Sequence, residues 1–450
     1  MTQTDICHCP VTLSSSSALE DWNSVVLGVL SHGRETPVHL GRLMDTAPDF
    51  AMGHAARGLF CLMTGRAEVI PAARAALTEA RNCAASSNIT AREQGWISAL
   101  AHWLDGSPSA AVETIEQILR ALPYDTISAK LSHGIRFMLG DSAGMRTSVE
   151  RILSAHGDDH ACRGYLLGSH AFTLEETGEY VLAEKTGREG LSLAADDAWG
   201  LHAVAHVYDV TVQPDNGIAL IDQNTAAWQG SNNFRYHVWW HKALLHMERG
   251  ELDVALGLYD AQIRAEKTDD YRDISNATSL LMRLELEGMD VGPRWEELAD
   301  FSEARVEDGC LVFADLHYLL ALAGAERGAA RDRMTARFAR DASKSGEMAA
   351  RVDAPGTAAI AGLNAFSEGR YDAAFLNLAA ARPLMSTIGG SRAQRDVFER
   401  ITIDSGLRAG RYDATAAILR DRLAQRGGTI DRFAATRFEK LNTSRGIAAQ

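Results

Sequence analysis

RYHVWWHKALLHMERGELDVAL, residues 235–256, holds both halves of the repeat that decides the fold. Up to Glu248 its apolar residues recur at three and four, the spacing of one helical face. Gly250 follows, and LDVAL then resumes the same periodicity. A first helix stops at the glycine, which reaches the left-handed conformation of a helix end without a Cβ clash, and a second starts within a few residues. The same punctuation recurs in MTGRAEV, LDGSPSAAV, LGDSAGM, ETGEYVLAE, ERGAARDRM, SEGRYDAAF and RAGRYDATA. Its glycines are Gly65, Gly106, Gly140, Gly178, Gly250, Gly328, Gly369 and Gly410, with Gly288 marking one further repeat and Val212 standing in the remaining gap. Successive markers lie 34 to 41 residues apart. A period in the thirties with two helices per unit is the signature of a tetratricopeptide-type solenoid. A single helix pair cannot bury its apolar face alone, so pairs stack into a right-handed superhelix with a concave groove. The expected fold is therefore all-α.

Residues 1–18 are expected to be a loose N-terminal segment, and 441–450 a loose tail. Between them, residues 19–440 should form a single α-solenoid of about ten helix pairs. No Gly/Ser/Pro linker divides the array, and 385–395, MSTIGGSRAQR, reads as a longer connection within its last repeats. Hydrophobic residues make up 46% of the chain and charged ones 23%, the balance of a folded soluble protein. The net charge of -14, with no Lys/Arg stripe, argues against nucleic acid or an anionic membrane as partner. The opening MTQTDICHCP lacks a basic segment followed by an apolar one, and no apolar run reaches the roughly 18 residues of a membrane span. Cys7, Cys9, Cys61, Cys83, Cys162 and Cys310 are scattered without a CxxC, which fits reduced thiols in a cytoplasm. Cys7-His8-Cys9 has no second ligand pair downstream and is taken for part of a mobile terminus.

PVTLSSSSALEDWN, APDFAMGHAARG, DAWGLHAVAHVYD, NNFRYHVWWHKALLHMERGELDVALGLYD and IGGSRAQRDVFER occur in this order. Together they resemble the tetratricopeptide repeat protein 38 family over essentially the whole chain, with HAVAH and HVWWH the most specific pieces. The resemblance implies a soluble, all-helical repeat protein and brings no reaction with it.

In such arrays the first helix of each pair lines the groove. With the loop glycine at position 15 of the repeat, positions 2, 5, 6, 9 and 12 face inward. Counting from Gly250 puts His237, Trp240 and His241 at positions 2, 5 and 6. Counting from Val212 puts Trp199, His202, His206 and Asp209 at 2, 5, 9 and 12. Residues four apart on a helix sit one turn above each other, with Cβ atoms roughly 6 Å apart. Neighbouring groove helices lie roughly 10 Å apart. Two such histidine pairs can thus converge on one divalent cation such as zinc, or on one small anionic ligand. His202, His206, His237, His241 and Asp209 are the candidate catalytic residues, the four histidines also being candidate metal ligands. Glu175 falls at position 12 counted from Gly178, and Asp315 at position 2 counted from Gly328, with His317 two residues on. Tyr208, Arg235 and Tyr236 are near in sequence, and Arg392, Gln394 and Arg395 can reach in from the final turn if the superhelix closes enough. The candidate ligand contacts are Trp199, Trp240, Tyr208, Glu175, Asp315, His317 and Arg392.

Plainer readings stand beside each of these. A lone histidine on a repeat helix is more often a packing residue, and His246 at position 11 is read as one. Trp239 and Trp240 point about 100° apart, so one is core, and Trp240 is taken for the groove. Asp315 can simply cap its helix, Glu175-Glu176 can be a solvated helix end, and the Arg/Gln run near 394 can be surface. HAVAH and HVWWH lack the glutamate that a zinc metalloprotease helix places beside its first histidine, and neither a GxSxG elbow nor a P-loop lysine is present. Two functions remain, beside a purely structural reading in which the histidines are buried hydrogen-bond ties between helices. One is a His/Trp-lined pocket for a small polar or acidic molecule, with acid–base chemistry by neutral histidines or hydrolysis by metal-bound water. The other is an interaction scaffold that holds a peptide or partner helix in the groove. Oligomeric state is not readable from the sequence.

Overall fold

The computed structural model describes the backbone of residues 2–448 and the side chains of residues 2–443. Helix–turn–helix pairs of the tetratricopeptide type run along the chain, and a single two-stranded hairpin is the only sheet among the described residues. No helix among them is long and apolar enough to cross a membrane. Where one uninterrupted array was expected, the helices gather into two compact units, 1–204 with 224–235, and 205–223 with 236–450.

The repeat punctuation is left-handed backbone. Gly65, Gly106, Gly140, Gly178, Gly250, Gly288, Gly369 and Gly410 all have φ between 63° and 91°. Val212 adopts φ 56°, so a β-branched residue occupies a conformation that sterics reserve for glycine. In the ERGAARDRM repeat the left-handed residue is Glu326, also at φ 56°, and not Gly328. The turn therefore closes two residues earlier than the glycine suggests. Asp315 moves from position 2 to position 4, and His317 takes position 6.

In the first unit the N-terminal segment is built, not loose. Gln3–Thr4 pairs antiparallel with Pro10–Val11, and Cys7 and Cys9 are fully buried. Asp5 is the reason. Its Oδ1 accepts the backbone amides of Cys7 and Cys9 at 3.0 Å, and its Oδ2 meets Arg92 Nη1 at 2.7 Å and accepts Trp22 Nε1–H at 3.1 Å. Arg92 Nε bonds Asp125 Oδ2 at 2.7 Å, so one guanidinium holds two buried carboxylates. Cys7 Sγ lies 3.9 Å from Cys162 Sγ; that contact and burial push the Cys7 thiol up, and burial raises Cys9, so both stay protonated.

In the second unit the segment expected to fray from 441 is the end of a helix, Arg432–Ala448, with Leu441 buried. Arg437 anchors this helix, its guanidinium bonded to Asp404, Glu287 and the Leu286 carbonyl. Residues 449–450 of that expectation lie outside the described residues. The 385–395 connection is a 3-10 turn, Arg382–Ile388, then Gly389 and Gly390 at φ 92° and 76°. Ser391 and Gln394 form a capping box that starts the helix Arg392–Arg408.

Candidate functional site

The helix Phe234–Glu248 places His237 and His241 one turn apart, and Tyr271–Leu286 lies next in the second unit. His237 Nε2 and His241 Nε2 are 3.1 Å apart. His206, from the helix Ala198–Val210, brings its ring centroid to 4.4 Å from that of His241. Each of the three offers a nitrogen, and these atoms all lie within 4.8 Å of one another. All three side chains are more than nine-tenths buried.

What orients them is a second layer. His237 Nδ1 is 3.1 Å from Asn276 Oδ1, and since that oxygen only accepts, Nδ1 carries the proton. The lone pair of His237 is thereby left on Nε2, facing His241. Gln394 Nε2 donates to the same Asn276 oxygen at 3.4 Å while Gln394 Oε1 accepts the Ser391 amide at 3.0 Å. Trp240, fully buried, stacks on His237 at 5.2 Å and meets His241 edge-on at 4.8 Å. It is a sealed floor under the histidines and not an exposed wall of the groove. Arg283 lies 5.4 Å from the Trp240 ring, bonded to the Ala393 carbonyl at 2.6 Å and 3.6 Å from Asp396.

Burial sets the charge state. It lowers His237 to about 3, helped by the proximity of His206. The same burial, with His206 and His237 adding to it, holds His241 well below the ordinary range. Both imidazoles are neutral at pH 7, and Arg283 is brought down to about 10 by burial. Two imidazole nitrogens on one tetrahedral zinc stand about 3.3 Å apart, given Zn–N near 2.05 Å. The observed 3.1 Å needs little adjustment to fit. In the absence of a cation the same distance is a His–His hydrogen bond.

Other expected contacts are committed elsewhere. Asp209 sits against Arg426, whose Nη2 is 4.0 Å from its carboxylate and bonds its backbone carbonyl, so it does not tune the histidines. Tyr208 is buried, its Cβ beside Gly217. Asp315, at its corrected position, is 2.7 Å from Arg337 Nη2, both buried. His317 is buried, its Nδ1–H bonded to the Phe313 carbonyl at 2.7 Å and its ring 4.5 Å from Phe313 and 4.9 Å from Phe398. Burial lowers it to about 3. Arg392 donates to the Gln425 carbonyl at 3.1 Å, so its neighbour Gln394 is the residue of that turn that reaches the site. His246 bonds Glu251 at 2.7 Å, in keeping with a structural role.

Three expected residues belong to the first unit. His202 stacks on Phe172 at 5.6 Å and lies 5.0 Å from Trp199. Trp199 is the centre of an aromatic cluster with Phe137, Phe172 and Phe234. Glu175 is buried within its helix, Arg163–Glu176, and is not a solvated end. Asn276 and Arg283 were not foreseen. Neither belongs to a spaced pair, and only the packing of Tyr271–Leu286 brings them to the histidines.

No family model matches the chain. Among solved structures it is similar to the human IFIT1 dimer with PPP-AAAA, at 14% identity over 98% of this chain and 97% of that one, with a TM-score of 0.41. The human IFIT1 dimer with m7Gppp-AAAA gives 14% identity over 96% of each chain and a TM-score of 0.43. Naa15/Naa10 bound to HypK-THB gives 12% identity over 90% of this chain and 68% of that one, at 0.25. Scores of this size carry no argument about ligand or partner.

Proposed function

We propose that the second unit binds one divalent cation, zinc or a similar ion, through His206, His237 and His241, and presents it to a small polar or acidic molecule. The observation that carries this reading is the convergence of three buried ring nitrogens within 4.8 Å, one of them fixed by Asn276. Imidazoles must be neutral to bind a metal, and burial makes His237 and His241 so without any proton being displaced at pH 7. The imidazoles supply neutral nitrogen ligands of the kind that zinc takes. A metal held there with a coordination position open would supply a water acidic enough to be a nucleophile near neutral pH, the chemistry of hydrolysis. The protein's own part is to fix the donor tautomer through Asn276 and Gln394 and to keep the ring faces packed on Trp240. We further propose membership of the tetratricopeptide repeat protein 38 family, on the motif segments quoted above, and a cytoplasmic setting, on the six free cysteines.

The test is metal content of the full chain after dialysis against zinc and then buffer. One zinc per chain is expected, lost in His241→Ala, with cobalt giving the visible bands of a four-coordinate site. Less than about a tenth of a zinc per chain at saturation would reduce the histidines to a hydrogen-bonded tie between helices. A stoichiometric peptide, protein or oligonucleotide retained by metal-free chain would favour the interaction scaffold.

A further inference from the structure

The first unit holds a cleft of about 370 Å3, within the size range of small-molecule sites. The end of the helix Ser16–Leu30 and the start of Thr36–Thr46 form one side of it. The two helices meet closely at Gly28, where a Cβ would fall 2.3 Å from Thr36 Oγ1. The strap 224–231 forms the other side, and it is tied down. Arg34 donates from Nε to the Gly230 carbonyl at 3.2 Å and from Nη2 to the Gln229 carbonyl at 3.0 Å. The Asn232 amide donates to the His32 carbonyl at 2.7 Å, and Gly33 pairs with Ser231 in an isolated antiparallel bridge. The wall is therefore in place before a ligand arrives, which lowers the cost of binding one.

The hydroxyls that line this cleft have all spent their protons. Ser24 Oγ donates to the Glu20 carbonyl at 2.9 Å and Ser31 Oγ to the Leu27 carbonyl at 2.9 Å. Thr36 Oγ1 donates to the Gly33 carbonyl at 2.7 Å and Ser231 Oγ to the Trp228 carbonyl at 2.6 Å. A hydroxyl carries one proton and two lone pairs, so each of the four is left as an acceptor. Two carboxylates join them. Glu35 makes no side-chain hydrogen bond or ion pair among the described residues. Asp196 accepts the Tyr165 O–H on Oδ1 at 2.7 Å and keeps Oδ2. The donors left to the lining are Arg34 Nη1 and the His39 ring, whose Nδ1 is already 2.6 Å from Arg42 Nη2 and 3.5 Å from Asp21 Oδ1. Acceptors thus outnumber donors, and the two carboxylates outnumber the one arginine.

We propose that this cleft binds a small organic ammonium with an apolar body, the N–H groups meeting Glu35, Asp196 and the hydroxyl lone pairs and the body lying on Leu27, Ala226 and Ala227. An ammonium has three donors and no acceptor, the complement of hydroxyls that can only accept. A carboxylate or phosphate in the same place would set its lone pairs against theirs, with Arg34 Nη1 and His39 as the side-chain donors available to it. The net charge of -14 favours the approach of a cation to this surface. The cleft lies within the first unit, so the proposal does not rest on the metal reading of the second.

Calorimetric titration of the full chain with phenethylamine and with phenylpropionate, similar in shape and opposite in charge, tests it. Salt at about 0.15 M suppresses diffuse attraction to the acidic surface. Phenethylamine should bind one per chain, with phenylpropionate at least tenfold weaker. The double variant Glu35→Gln/Asp196→Asn should weaken phenethylamine at least tenfold. Ala226→Trp, which keeps every charge and fills the cleft from an exposed position, should do the same. No phenethylamine binding, or phenylpropionate binding as tightly, would overturn the proposal. Full affinity in Ala226→Trp would also overturn it, because the amine would then be held by surface charge and not by the cleft. Full affinity in the double variant would deny the carboxylates their role and overturn it equally. His241→Ala should leave phenethylamine unchanged, and loss of binding there would move the ligand to the second unit and overturn the assignment. Should a variant not fold by circular dichroism, the comparison of the two ligands on the unaltered chain decides.

Discussion

Acid should destabilise the second unit through His317, by an amount the structure allows to be worked out. The ring is sealed between Phe313 and Phe398, and burial lowers it to about 3. An unfolded histidine titrates near 6.5. Between those values the unfolded chain binds a proton that the folded chain refuses. The stability contributed by a neutral His317 is therefore complete above about pH 6.5 and is lost as pH falls towards 3. From pH 7 to pH 5 the loss is about 2 kcal/mol, since each pH unit well below the unfolded pKa costs about 1.4 kcal/mol. Total stability has a different pH dependence, because burial raises Asp315 and Glu248 to about 7 and their contributions have the opposite sign. The difference between the unaltered chain and His317→Leu isolates the one ring. Leucine fills a similar volume and does not titrate, so any fixed packing penalty cancels between pH values. Urea unfolding followed by circular dichroism at pH 7, 6 and 5 should show the advantage of the unaltered chain over His317→Leu shrinking by about 2 kcal/mol. Curves that stay parallel to within about 0.5 kcal/mol would refute the claim that this imidazole is buried and neutral.

Asn276→Leu removes the acceptor that fixes the His237 tautomer and should weaken cobalt or zinc binding by about 10- to 100-fold in a chelator competition; unchanged affinity would deny it an orienting role. Arg92→Met leaves Asp5 and Asp125 buried without their cation and should cost about 3–5 kcal/mol, seen as a lowered Tm and lost amide protection at Cys7 and Cys9. A loss under about 1 kcal/mol would mean that the hairpin is held by something else. Val212→Gly relieves a left-handed β-branched residue and should stabilise the chain by about 0.5–1 kcal/mol, whereas Gly369→Val, with open space around its Cβ, should cost about 1–2 kcal/mol from conformation alone. Destabilisation by Val212→Gly would contradict the repeat register on which the histidine positions rest.

Periodicity by itself determined the helix pairs, and counting from Gly250 and Val212 placed His206, His237 and His241 on facing positions. That worked because both are local facts. Helix spacing fixes which side chains share a face, and a left-handed residue fixes where the next helix starts. The same counting failed at Gly328, where a glycine stands two residues beyond the true turn at Glu326 and draws Asp315 into the groove on paper. It also failed at the terminus, where nothing in MTQTDICHCP announces that Asp5 will meet an arginine 87 residues away. Which of the inward residues become a site was left to tertiary packing. Asn276 reaches His237 from the next repeat and Gln394 reaches Asn276 from several repeats further along, and Lys130 and His133 meet Trp199 only because two helices bring them together. Those contacts depend on how far one helix pair rotates on the next, a sum of many small packing terms with no repeat of its own in the sequence.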